Sequence, residues 1–489
     1  MISVYIQPAL STQLSKLAAL FAEISRENAL DPHNHDETLS HKPWVTWYGD
    51  DFTGAAAVME VLAFAGLPTI LFTEIPSDSL RQRFSDVKAI GLASTARSKS
   101  PAWMRDNLAD PLAWLDSFNA PLLHYKICST FDSSPEIGAI GTAIEVGLTV
   151  RPARAVPMIT AAPQMRRYQA FGNLFAGTFE GVHRLDRHPV MSRHPVTPMS
   201  EANLLVHLAR QTVLPSALID LEALWSDPQK VLNVALASRI KILSIDSMEE
   251  RSERAAGKLI WENRDALGFV VGSQGVEYAL VRHWIDRGLL TEQSEPPALD
   301  PVSQIVGVSG SVSPMTAEQL AHAAKDGFEL ITFRGDLACG EESDLHQEVE
   351  RVVRLSQDVI ARGASPLVCS AQGTDDPTVE AFHKALANST IDRSIANERI
   401  GVSLGRVLDG ILKSTSIKRA IISGGDTSGY GLQQLGIQAL QAKAATIPGA
   451  SICKGFGDGH HDGLEIALKG GQMGTRDFFS WVRSGGGAR

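Results

Sequence analysis

Two adjacent carboxylates, Asp50 and Asp51, stand in the segment Trp47-Tyr48-Gly49-Asp50-Asp51-Phe52-Thr53-Gly54, directly after a short apolar run. One acid at such a place, or Thr53, is accounted for as a helix cap that accepts free backbone N–H groups. A cap does not account for two. Neighbouring carboxylates at a strand end suit hydroxyl recognition, and one of them can accept a proton from a reacting hydroxyl. Asp50 is the candidate base, with Asp51 supporting the turn and Asp132 as the rival. Arg97, in Ala93-Ser94-Thr95-Ala96-Arg97-Ser98, offers a planar fork that matches a carboxylate, although alone it also reads as an ordinary surface arginine. In Tyr125-Lys126-Ile127-Cys128-Ser129-Thr130-Phe131-Asp132-Ser133-Ser134-Pro135, Ser133 or Ser134 is accounted for as the cap of a helix opening at Pro135. Lys126, Ser129, Thr130 and Asp132 are left over. A cation, hydroxyls and an acid together could hold a polyol acid. Cys128 reads as a small buried side chain, because no base motif points to it.

The C-terminal half carries a different chemistry. Val308-Ser309-Gly310-Ser311-Val312-Ser313-Pro314 and Ile422-Ser423-Gly424-Gly425-Asp426-Thr427-Ser428-Gly429 each follow an apolar run and open a helical pattern. Small residues there expose backbone N–H groups to an anion, and glycine lets a phosphate approach closely. Asp426 or Thr427 would cap the second helix. A third glycine-rich turn, Gly470-Gly471-Gln472-Met473-Gly474, is a further candidate nucleotide contact, whereas His460 and His461 read as solvated loop residues. The P-loop, GxGxxG, GxSxG and HExxH motifs are all missing from the sequence.

These segments need scaffolding that places strand ends side by side. Strand-like runs at residues 44–48, 69–73, 87–93, 122–127, 156–161 and 241–245 alternate with helical patterns such as 55–65 and 135–146. A second series follows, with strands at 305–309, 329–333, 366–370 and 419–422 and helices at 343–361 and 401–413. Such alternation predicts parallel sheets with helices on their faces, and ligands at the carboxyl ends of the strands. Residues 167–200 break the rhythm and predict a long functional loop. The polar, proline-rich stretch near 291–301 marks a boundary. The expected organisation is an N-terminal helical extension and linker (1–42), a domain carrying the candidate polyol-acid residues (43–295) and a domain carrying the candidate anion loops (302–489). The fold class is α/β, two domains, each with a mainly parallel sheet flanked by helices.

Composition narrows the function. At 489 residues the chain exceeds what one core usually supports, and 44% hydrophobic with 20% charged residues is a globular balance. A net charge of −10 without a basic run argues against a nucleic-acid partner. No apolar stretch reaches the roughly 20 residues a membrane span requires. Residues 1–30 lack the order of a signal peptide and read as an amphipathic helix with Leu14, Leu17, Leu20 and Phe21 on one face. Four scattered cysteines without a CxxC pair fit a reducing cytoplasm.

The segments Asp50-Asp51-Phe52-Thr53-Gly54, Lys126-Ile127-Cys128-Ser129-Thr130-Phe131-Asp132-Ser133, Ser309-Gly310-Ser311 and Ser423-Gly424-Gly425-Asp426-Thr427-Ser428-Gly429 together resemble the four-carbon acid sugar kinase family, in its order and at comparable spacing. The resemblance runs from about Val45 to Phe479. It implies a two-domain α/β kinase that uses ATP, with Mg²⁺ on the nucleotide, to phosphorylate a hydroxyl of threonate, erythronate, 3-oxo-tetronate or a branched relative such as an oxo-isoapionate. It also implies that Asp50, Arg97, Lys126, Cys128, Ser129 and Thr130 contact the acid sugar, and that Ser309, Gly424, Gly425, Asp426, Thr427 and Gly470 contact ATP. Three departures stand out, the first being the unusual N-terminal extension to Lys42. The family's usual Lys-Ser-Gly-Asn-Phe-Gly turn is here Lys469-Gly470-Gly471-Gln472-Met473-Gly474, and residues 163–168 and 187–194 match only loosely. The competing readings are a nicotinamide-dependent sugar-acid dehydrogenase and a non-catalytic sensor of sugar acid and nucleotide. Homo-oligomerisation is left open.

Overall fold

The computed structural model describes residues 42–178, 180–194, 196–471 and 473–488. The helical extension expected before the first strand therefore lies outside the described residues, apart from Lys42 at its end.

The apolar runs become strands, and their burial on both faces is what a parallel sheet under helices demands. In the N-terminal half these are β1 (Val45–Gly49), β2 (Thr69–Phe72), β3 (Ala89–Ala93), β4 (Leu122–Lys126) and β5 (Val156–Ile159). They are followed by β6 (Arg167–Ala170), β7 (Asn173–Gly177), β8 (Val182–Arg184), β9 (Ser216–Ile219), β10 (Ile242–Ile245) and β11 (Phe269–Gly272). The C-terminal half contributes β12 (Val306–Ser309), β13 (Phe328–Thr332), β14 (Ser365–Cys369) and β15 (Arg419–Ser423). It ends with β16 (Ala439–Ala444), β17 (Ile452–Phe456) and β18 (Glu465–Lys469). Strands β9, β11, β16 and β17 were not expected. The stretch expected as a long loop carries its own small antiparallel sheet, β6-β7-β8.

All other strands join one 15-stranded sheet in the order β13-β14-β12-β15-β18-β17-β16-β2-β3-β1-β4-β11-β5-β10-β9. Each half is parallel at its heart: β1 pairs β3 and β4, and β15 pairs β12 and β18, all parallel. The halves meet where β2 pairs β16 antiparallel. In a flat sheet, β1 and β15 would then point oppositely and their carboxyl ends would lie on opposite edges. Adjacent strands twist by roughly 20–25°, so the six steps from β15 to β1 accumulate about 120–150°. A rotation of that size would turn the two sets of carboxyl ends back toward each other.

Four helices position the site. Helix α1 (Phe52–Phe64) follows β1; Asp51 is its N-cap, and Gly66, at φ 86°, lies just beyond its end. Helices α2 (Ile140–Val150), α3 (Pro314–Ala323) and α4 (Gly425–Gln434) follow β4, β12 and β15. The expected start of α2 at Pro135 is corrected to Ile140. Ser134 Oγ instead accepts from the backbone N–H of Glu136 and Ile137, at 3.1 and 3.0 Å. The serine thus closes a local turn rather than capping a helix. The cap position of α4 is Gly424, not Asp426 or Thr427.

Candidate active site

The turn after β1 is tight: a Cβ on Gly49 would come 2.4 Å from the Ala55 Cβ. It delivers Asp50 to a buried position, 3% exposed. Arg97, in the short turn after β3, donates from Nε to Asp50 Oδ2 at 3.2 Å and from Nη2 to Asp50 Oδ1 at 2.6 Å. The same Nη2 lies 2.7 Å from Asp51 Oδ1. Asp51 accepts further bonds from Gly54 N at 2.9 Å and from the Thr53 hydroxyl at 2.7 Å. Lys126, the last residue of β4, is buried beside them and donates to the Ile127 carbonyl at 2.6 Å. Gly54 completes the packing, since a Cβ there would lie 2.3 Å from Asp51 Oδ1 and 2.8 Å from Lys126 Nζ. The four residues Asp50, Asp51, Arg97 and Lys126, from three strand ends, form one charge-balanced cluster.

The environments push the two acids apart. Burial raises the Asp50 carboxyl above the usual aspartate range, with Arg97 pulling against it. Burial acts on Asp51 too, but Arg97, Lys126, Thr53 and Gly54 outweigh it and hold that carboxyl low. Lys126 is lowered by burial, against the pull of Asp51 and Asp50. Adjacent groups tuned in opposite directions mark a division of labour.

The turn after β4 brings hydroxyls to the same rim. Thr130 Oγ1 donates to Asp132 Oδ1 at 2.7 Å and lies 3.0 Å from Cys128 Sγ. Burial pushes the Cys128 thiol up to about 11, so it is no thiolate nucleophile at neutral pH. Phe131 holds a left-handed backbone, φ 59°, with its ring fully buried against His207. For a bulky residue this is strained, and it fixes where Ser129 and Thr130 stand.

Arg167, the first residue of β6, stands out only in the structure. Its Nη1 donates to the carbonyls of Met165, Arg166 and Gly177 at 3.1–3.3 Å, and its Nε is buried without a partner. Burial lowers it, partly countered by Cys128 and Asp132, which places its charge near the β4 turn. The only hint in sequence was two consecutive arginines in a segment short of charge elsewhere.

On the other half, β12 and β15 end in register at Ser309 and Ser423, both buried. Gly424 adopts φ 125°, a conformation glycine alone takes easily. A Cβ on Gly310 would lie 2.3 Å from Thr427 Oγ1, whereas one on Gly425 would meet nothing within 4 Å. The face of Gly425 is therefore open at the N-terminus of α4, where backbone N–H groups are unpaired. The turn after β18 closes the third side: Thr316 Oγ1 lies 3.0 Å from the Gly471 carbonyl, and Ser313 Oγ also bonds that carbonyl. Ser309, Gly424, Gly425, Thr427 and Gly470 thus gather at three neighbouring strand ends, and Asp426 follows within α4. His461, expected in solvent, is instead buried and bonds Asp409 at 2.8 Å.

The two halves touch where the sites face. A Cβ on Gly429 of α4 would lie 3.0 Å from the Phe52 ring, which directly follows Asp50 and Asp51. Glu60 of α1 accepts from Gly449 N at 3.0 Å, and Met165, Met473 and Ala57 converge on Gly449.

A twisted α/β sheet that sets a buried acid-and-base cluster against an open glycine-rich anion loop defines a protein built to bring a small polar molecule to a phosphate. Residues 45–280 match the model of a sugar-binding N-terminal domain, and residues 306–479 that of a nucleotide-binding C-terminal domain. The chain is 44% identical over 444 residues to a 3-oxo-isoapionate kinase of Paraburkholderia graminis, covering 90% of this chain and 94% of that one. It is 28% identical over 446 residues to a 3-oxo-tetronate kinase of Pseudomonas savastanoi pv. phaseolicola, covering 90% and 96%. It belongs to the four-carbon acid sugar kinase family. Solved structures share the fold: a Salmonella typhimurium LT2 protein (TM-score 0.71, 22% identity, 90% and 98% covered) and Haemophilus influenzae protein HI1011 (0.66, 23%, 90% and 99%).

Proposed function

We propose that this chain is an ATP-dependent kinase that phosphorylates a hydroxyl of a small acid sugar, with 3-oxo-isoapionate as its first candidate substrate. The carrying observation is the Phe52–Gly429 contact, which sets the turn holding Asp50 against the helix that opens at Gly425. Residues 43–295 bind the sugar acid and 302–489 the nucleotide. Asp50 takes the proton of the attacking hydroxyl, and Cys128, Ser129 and Thr130 hold the remaining polar groups. Arg97 and Lys126 supply positive charge at the substrate carboxylate, joined by Arg167. Ser309, Gly424, Gly425, Asp426, Thr427 and Gly470 hold ATP, whose phosphates bring Mg²⁺ with them. Among the described residues no three His, Cys, Asp or Glu side chains gather as a metal site. The protein's part is chiefly alignment and charge, as phosphoryl transfer requires. The branched substrate is favoured over the four-carbon acids by the higher identity to the isoapionate relative, 44% against 28%. No described helix is long and apolar enough to cross a membrane, and four free cysteines fit work in the cytoplasm.

An ADP-release assay over four- and five-carbon sugar acids tests this reading. The expected result is release with 3-oxo-isoapionate at a kcat/KM at least ~10-fold above that with 3-oxo-tetronate, threonate or erythronate; a missing substrate contact is worth about that much. ATP binding without ADP release on any of them would return the protein to the sensor reading.

Gly425→Val is expected to raise the KM for ATP at least ~10-fold. Its side chain would enter the open space proposed for a phosphate, and its Cβ would meet no protein atom within 4 Å. The thermal midpoint should therefore stay near wild type. Unchanged ATP affinity by calorimetric titration would move the phosphate site off this loop.

A further inference from the structure

Lys469, the last residue of β18, is completely buried. Its Nζ donates to Thr316 Oγ1 at 3.3 Å and to the Gly470 carbonyl at 3.0 Å. Both partners are neutral. The contrast with Lys126 is direct: that lysine is equally buried but lies beside Asp51 and Asp50. A buried ammonium without a counter-ion is costly, and such a group gives up its proton instead. Burial pulls Lys469 from the ordinary lysine value of 10.5 down to about 7, and no acid, histidine or other base among the described residues contributes. The amine bonds Thr316 of α3 and the carbonyl of Gly470, and Ser423 of β15 is the register neighbour of Lys469.

The position is as informative as the burial. The backbone carbonyl of Lys469 accepts from Gly424 N at 2.8 Å, so the lysine is fastened to the glycine loop of α4. Its hydroxyl partner Thr316 also lies 3.1 Å from Ser311 Oγ, and a Cβ on Gly471 would meet that same Ser311 Oγ at 2.5 Å. Lys469 therefore sits beneath the loops that leave β12, β15 and β18, where the anion-facing groups converge. Among the described residues no acid compensates the lysine there; an incoming polyanion would.

We propose that Lys469 is a proton-switched cation of the phosphate site: ATP binding draws one proton from solvent onto its amine, and the ammonium offsets the phosphate charge until the nucleotide leaves. This inference rests on the kinase reading. The balance is simple: amine and solvent proton give ammonium on binding, and the proton returns to solvent on release. Above pH 7 the lysine then adds its charge chiefly when the phosphates are present, so the empty enzyme is largely spared a buried ammonium there.

Calorimetric titration of the full chain with ATP and excess Mg²⁺, in two buffers of different ionisation enthalpy, counts the protons taken up. The expected uptake for wild type is about one proton per ATP at pH 8, falling toward zero below pH 6, where the amine is already protonated. Lys469→Met is expected to bind ATP ~10- to 100-fold more weakly, the loss of a charge-assisted contact, and without the uptake. Lys469→Arg, charged throughout, should bind ATP more tightly than Lys469→Met, also without uptake. The wild-type pH profile stands as a test even if neither variant folds. Uptake that is flat between pH 6 and 8, or unchanged in Lys469→Met, overturns the proposal while leaving the kinase reading intact. A folded wild type that binds no ATP removes both.

Discussion

Asp50→Asn lowers turnover by roughly 10²- to 10⁴-fold, the usual contribution of a positioned general base, while ATP affinity stays within a few-fold of wild type. The expectation follows from how the two acids are used. Asp51 spends Oδ1 on Gly54 N and Arg97 and Oδ2 on the Thr53 hydroxyl, which is the work of a helix cap. Among the described residues the Asp50 carboxylate bonds only the Arg97 fork, and its Oδ2 bond is the longer, at 3.2 Å. Each carboxylate oxygen has two acceptor positions, so Asp50 keeps room for a substrate hydroxyl. Asparagine preserves the shape but cannot take the proton. The pH profile adds a separate check. Asp50 must be ionised to act, so kcat/KM falls as pH drops through its pKa. Burial lifts that acid limb above the range of an ordinary aspartate. The limb should be missing from whatever activity Asp50→Asn retains. Near-normal turnover with the limb intact would move the base to Asp132, which already accepts from Thr130 at 2.7 Å.

How much of this could be read in the sequence depended on distance along the chain. Strand ends were legible because an apolar run followed by a polar turn is a local pattern. Asp50, Lys126, Ser309 and Gly424 were found that way, and each lies at or directly after a strand end in the structure. The start of α2 was not legible: Pro135 favours a helix start, yet Ser134 closes a turn with Glu136 and Ile137 first. Nor was the joining of the sheet, since β2 pairs with β16 across some 370 residues (Leu71 with Leu440). Arg97 was visible as a letter but not as a fork shared by two acids 46 and 47 positions away. Nothing local marks Lys469 as buried, because its neutral partner Thr316 lies 153 residues earlier. Local chemistry writes itself into spacing; pairing and burial are set by the tertiary fold.

That shared fork makes Arg97→Ala the most damaging substitution expected in the substrate half. Arg97 is the bond partner of both acids, at 2.6 and 2.7 Å, and its side chain is 22% exposed. Removing one partner of a largely buried ion pair costs about 3 kcal/mol, because the remaining charge stays buried and unpaired. Here two carboxylates would be left side by side with only Lys126 between them and repulsion. The denaturation midpoint should drop accordingly, and affinity for the sugar acid should fall on the order of 10- to 100-fold. Lys126→Ala should lose similar affinity with less damage to the fold, since its Nζ bonds a carbonyl rather than either acid. Arg97→Lys restores the charge without the planar fork, so it should recover stability in part and binding less. The decisive comparison is Arg97→Ala with and without Asp51→Asn. If unpaired repulsion is the cause, removing one of the two negative charges recovers part of the lost stability. If the double variant is no more stable than Arg97→Ala alone, the cost of losing Arg97 is packing. Its fork would then be free of any duty toward Asp51, and the charge-balanced cluster would be an incorrect description of this site.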